Sequence, residues 1–133
     1  VRFDDARGVP DLAASKGVIG WVRSQGSLYV SLDGSDPRVV ALSARPPRRP
    51  FLETANFAVS RWTAEPGRVA FLKRGWWTSA CTLGGLVPGA RYRARGADLD
   101  ATLTADKDGT LALSFPDAED GGPARPVTVE AVP

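Results

Sequence analysis

Apolar and polar residues alternate along almost the whole chain, in short runs rich in Val, Leu, Phe, Trp and Thr. Period-two alternation marks a half-buried strand. No stretch keeps the 3.6-residue period of an amphipathic helix, and only residues 10–15 suit even one helical turn. The pattern predicts strands at Val18–Arg23, Ser27–Leu32, Arg38–Ser43, Phe57–Thr63 and Val69–Lys73. It continues at Thr78–Leu83, Arg91–Arg95, Leu99–Ala105, Thr110–Phe115 and Pro126–Val132. Turns fall at Ser24-Gln25-Gly26, Asp33-Gly34-Ser35-Asp36-Pro37, Glu65-Pro66-Gly67 and Asp106-Lys107-Asp108-Gly109, where Gly, Asp and Pro supply the needed backbone geometry. Residues 45–50, Arg-Pro-Pro-Arg-Arg-Pro, lack the donors a sheet requires and read as an extended connection between two halves. About ten short strands in one 133-residue domain predict an all-β antiparallel sandwich with extra N-terminal strands.

A faint repeat runs through the first half. At a spacing of 41, Val18, Trp21, Gly26, Leu28, Val30 and Gly34 match Val59, Trp62, Gly67, Val69, Phe71 and Gly75. Each unit reads as strand, Gly-centred turn, strand, which suggests two hairpins in related positions. Chance likeness between two strand–turn–strand units is the competing reading.

Leu86, Pro88-Gly89 and Tyr92 have the spacing of a tyrosine corner. In such a corner Leu86 plugs the core, Pro88-Gly89 turns the chain, and Tyr92 buries its ring while its hydroxyl meets backbone a few residues upstream. This stretch resembles the corresponding turn of fibronectin type III and related immunoglobulin-like domains. Thr102–Pro116 resembles the last hairpin of immunoglobulin-like modules at the C-termini of bacterial secreted polysaccharide-active enzymes. The resemblance covers roughly residues 57–132. It implies an extracellular or cell-surface accessory module that binds glycan, braces the catalytic domain of its parent chain or spaces it from a surface. The contrasting reading is a structural or protein-interaction sandwich, a stalk, adhesin or assembly module, with no glycan bound.

Composition narrows the chemistry. With no His and one Cys, the chain has no Ser-His-Asp or Cys-His nucleophilic site, no imidazole metal ligand and no internal disulfide. The absence of Met suggests a mature product or a piece of a longer protein. The net charge of +2, carried by 14 Arg and 3 Lys, is too small to point to nucleic acid, and no apolar run is long enough to span a membrane. Carboxylates remain: Asp98 and Asp100 read as sharing a strand face, Asp106 and Asp108 as turn residues, and Glu53 stands apart. None makes a convincing glycosidase pair, so the chain by itself reads as a non-enzyme. The two Asp-bearing turns fall short of a full calcium loop, and no cofactor is implied beyond that weak calcium signal.

Glycan recognition needs an aromatic ring to stack on the apolar face of a sugar and polar groups to hold its hydroxyls. Trp21 and Trp62, inside strands, read as core, and Cys81 as a small buried residue. Trp76 and Trp77 follow Arg74 and Gly75 at a strand break, where adjacent side chains point to opposite sides. One of them is the sequence's best stacking platform, unless both merely cover the sheet edge. Arg91, Arg93 and Arg95 alternate with Tyr92, so they line the solvated face as a basic stripe suited to an acidic polysaccharide. An ordinary solvated strand face is the alternative, as a linker is for Arg45, Arg48 and Arg49.

Overall fold

The architecture grows from hairpins whose turns are written in the sequence. In the computed structural model, which describes residues 1–4, 7–33, 38–44, 48–75, 77–118 and 122–133, β3 (Val18–Ser24) and β4 (Ser27–Leu32) meet at Gln25-Gly26. Both turn residues have positive φ, +49° and +80°, as a type I′ hairpin requires. β7 (Ala58–Glu65) and β8 (Arg68–Arg74) join at Pro66-Gly67, where only Gly67 is positive, the pattern of a type II turn. β10 (Arg91–Gly96) returns through Ala97-Asp98 into β11 (Leu99–Thr104). β9 (Trp77–Gly84) pairs with β12 (Leu111–Ala118), and β13 (Arg125–Ala131) enters between β10 and β8.

Thirteen strands are formed among the described residues. Beyond the predicted ones are β1 (Arg2–Asp4), β2 (Val9–Pro10) and β6 (Phe51–Ala55), while the predicted Arg38–Ser43 shortens to β5 (Leu42–Ser43). A six-stranded sheet runs β1-β4-β3-β6-β9-β12 and a five-stranded sheet β11-β10-β13-β8-β7, with β2 and β5 as a small pair of their own. Among the described residues all strand pairings are antiparallel except β3 with β6, which pair in parallel at Gly20 and Leu52. No helix forms among the described residues: Asp11 heads a single turn in which its carbonyl accepts from Ser15 N–H and its carboxylate caps Ala13 and Ala14. Residues 34–37 and 45–47, parts of the predicted turn and connection, lie outside the described residues.

The two large sheets pack face to face as a sandwich. Leu52, Leu83, Leu113 and Phe115 from one meet Val69, Phe71, Tyr92 and Val127 from the other. Each loses its apolar surface from water, worth about 2 kcal/mol for a Leu or Phe. Tyr92 is 2 % exposed, and its hydroxyl accepts from Val87 N–H at 2.9 Å, the corner geometry the spacing predicted. Leu28 and Val30 are buried too but lie outside this core. They share a face with Trp21, which stacks on Phe51 at 4.9 Å. Pro10 and Leu12 line the same hollow as that ring pair, and Arg23 from this face donates to the Gly8 carbonyl. The N-terminal segment therefore forms a cover over the outer face of the six-stranded sheet, and the molecule has a second, smaller apolar layer.

Candidate functional site

Register decides what the basic stripe can do. On the outer face of the five-stranded sheet, Arg93 lies opposite Thr102 and Glu130, Glu130 opposite Arg68, and Arg68 opposite Glu65. The stripe is thus one rung of a ladder of alternating sign. Arg93 grips Asp100 with two bonds of 3.2 Å, and Arg68 meets Glu130 at 3.1 Å. These bonds hold the Asp100 carboxyl below the usual range and raise the Arg93 guanidinium. Arg91 and Arg95 are exposed, and Arg95 lines a 260 Å³ hollow with Arg93, Thr128 and Glu130. Within the stripe Arg93 is neutralised by Asp100 and faces Glu130, while Arg91 and Arg95 stand exposed on either side of it.

Asp98 is not on a strand face with Asp100. It sits in the two-residue turn, at φ +65°, and takes both guanidinium nitrogens of Arg125 at 2.7 and 2.8 Å, which lower its carboxyl pKa. Asp106 accepts from Asp108 N–H and Thr110 N–H, so its oxygen closes the turn. Glu53 differs from these: burial, and then the Asp106 carboxylate, push its carboxyl above the ordinary range. Among the described residues no three His, Cys, Asp or Glu side chains cluster as a metal site. Cys81 is buried with its thiol pushed up to about 12, by burial, which makes it a poor nucleophile.

Of the predicted stacking pair, Trp76 lies outside the described residues, as does the side chain of Trp77. Arg74 is exposed at the end of β8, beside them in sequence. The neighbouring end of the core holds an unpredicted feature. Lys73 is 6 % exposed, with Nζ 5.0 and 5.1 Å from the Phe57 and Phe115 ring centres. Burial lowers its pKa, and the rings partly replace the lost hydration.

Among the described residues, the tryptophans that line hollows are the two assigned to the core. β7 carries a bulge between Ser60 and Thr63, with Arg61 at φ +49°, a strained value for a non-glycine residue. The bulge turns Trp62 inward, stacked on Phe71 at 5.6 Å, yet leaves it half-buried on the wall of a 340 Å³ hollow. Leu12, Val18, Asp33, Arg49, Thr63 and Glu65 complete much of that wall. A second hollow of 220 Å³ holds Trp21 and Phe51 with Pro10, Leu12, Arg48 and Arg49. Trp62 does contribute to the main core, whereas Trp21 belongs to the second layer. Both also face open space.

Compared with protein-family models, curated proteins and solved structures, the chain matches none. The site must be judged on its own chemistry. Trp62 offers a rigid ring, backed by Phe71, in a hollow whose wall also includes Asp33, Arg49, Thr63 and Glu65. That is an apolar platform rimmed by hydrogen-bonding groups of both kinds. Arg45, the third arginine of the predicted connection cluster, lies outside the described residues, while Arg48 and Arg49 join the hollows rather than serving only as linker.

Proposed function

We propose that the chain is a non-catalytic, glycan-binding accessory module of a secreted polysaccharide-active protein, with Trp62 as its sugar platform. The supporting observation is the 340 Å³ hollow in which Trp62 stands beside Asp33, Arg49, Thr63 and Glu65. A sugar ring presents one apolar face and a rim of hydroxyls, and this wall offers a partner to each. The non-catalytic part rests on the sequence, which has no His, and on Asp98 and Asp100, each engaged by an arginine. Its parent chain's catalytic domain is the natural neighbour in this reading, and the sandwich surface would brace it.

Native affinity electrophoresis in gels cast with xylan, mixed-linkage β-glucan, galactomannan or alginate tests the proposal. At least one polysaccharide should retard the protein, and Trp62→Ala should abolish the retardation while circular dichroism shows the fold retained. Mobility unchanged in every gel would contradict glycan binding. Retardation lost in Trp76→Ala or Trp77→Ala but kept in Trp62→Ala would move the site to the β8–β9 corner. Release of reducing ends by the purified chain would contradict the non-catalytic reading.

A further inference from the structure

The two hollows are neighbours, because Leu12 and Arg49 line both. Trp62 stands in one and the Trp21–Phe51 stack in the other, so two aromatic platforms border hollows that share the residue Arg49. Arg49 forms no hydrogen bond or ion pair among the described residues, and it is half-buried between them. Among the described residues, the ionisable side chains of the combined lining are Asp33 and Glu65 against Arg48 and Arg49, a formal sum of zero. Such a surface exerts no net pull on a polyanion.

We infer that the two hollows form one extended site for an uncharged linear oligosaccharide, with Trp62 and Trp21 as stacking platforms on either side of Arg49. This rests on the glycan-binding reading and adds to it the ligand's charge class and a minimum reach of two sugars. Arg49 spans the junction and donates to hydroxyls or ring oxygens of the bridging unit. Two platforms on one chain act together, so affinity grows with chain length until both are filled.

Isothermal titration with xylo- and gluco-oligosaccharides of two to six units, at low and high salt, tests the inference. Affinity should climb with length and then level off, and it should change less than twofold between the salts. Trp21→Phe, Trp21→Ala and Arg49→Gln should each weaken binding of the longest oligosaccharide three- to tenfold, while the disaccharide loses less. Trp21→Phe and Arg49→Gln keep the test decisive where Trp21→Ala disturbs the second apolar layer. Full sensitivity to Trp62→Ala with none to Trp21→Phe or Arg49→Gln would confine the site to one hollow and overturn this inference, leaving glycan binding intact. Preference for alginate oligomers with steep salt dependence would overturn its charge class. Failure of every oligosaccharide to bind would remove the glycan reading and this extension with it.

Discussion

The hairpins β3–β4 and β7–β8 carry the same sequence pattern and use the same face, yet they cover different interiors. Trp21, Leu28 and Val30 share one face of the first, and their counterparts Trp62, Val69 and Phe71 share one face of the second. The second hairpin turns that face into the sandwich core. The first turns it away, under a lid made from Pro10, Leu12 and Phe51. The comparison shows that an apolar stripe specifies that a face is buried, while the remaining chain specifies what buries it. It also explains why both tryptophans border hollows: each sits where a hairpin face runs out from under its cover.

The largest difference to expect between the hairpins lies at Gly20 and its counterpart 41 residues on, Arg61. A β-carbon at Gly20 runs into the Leu52 carbonyl, at the one register pair of the parallel β3–β6 ladder among the described residues. Gly20→Ala should therefore cost on the order of 3 kcal/mol in urea unfolding, because backbone rather than a flexible side chain must move. A loss below about 1 kcal/mol would mean that the six-stranded sheet does not depend on that approach.

A second contrast is chemical. The apolar face of β7–β8 continues into the buried Lys73, whereas the first hairpin's face continues into exposed Arg23. Because burial lowers the Lys73 pKa, the native state gives up this proton at a lower pH than the unfolded chain, whose lysine titrates near 10.5. In the window below 10.5 the unfolded state binds more protons, so stability rises with pH there. Cys81 acts oppositely: its native thiol keeps its proton to about 12 while the unfolded one ionises near 9, so stability falls above 9. Comparing wild type with Lys73→Met from pH 7 to 10.5 cancels the Cys81 contribution. The difference in unfolding free energy should shift in favour of the wild type as pH rises. Parallel curves would show that the lysine is not buried as described.

The smallest effect is expected at Arg61. Relief of its φ of +49° by Arg61→Gly is offset by the freedom glycine gains when unfolded, so stability should change by less than about 1 kcal/mol. Binding should weaken more than stability, since the bulge is what aims Trp62. Unchanged binding in this variant would detach the bulge from the site.

Most of the sandwich was legible because each strand of the C-terminal half buries alternate residues, as in β10, where Tyr92 and Ala94 are buried between exposed arginines. The Tyr92 corner was legible because its geometry is local. Phe51–Ala55 was not, since it follows a proline-rich stretch and joins the sheet through partners far along the chain. The Arg93–Asp100 pair left a usable signal: a two-residue turn at 97–98 sets the register that places Asp100 beside the arginines. The hollows left none. Their walls combine residues from near positions 12, 21, 33, 49 and 62, and only the folded cover brings these together.

The central claim is that a glycan sits on Trp62. Titration of ¹⁵N-labelled protein with a retarding oligosaccharide, followed through its four tryptophan indole N–H signals, tests it most directly. The Trp62 signal should move first and furthest, with Trp21 following as the oligosaccharide lengthens. Movement of Trp76 and Trp77 alone, with Trp62 and Trp21 still, would contradict it.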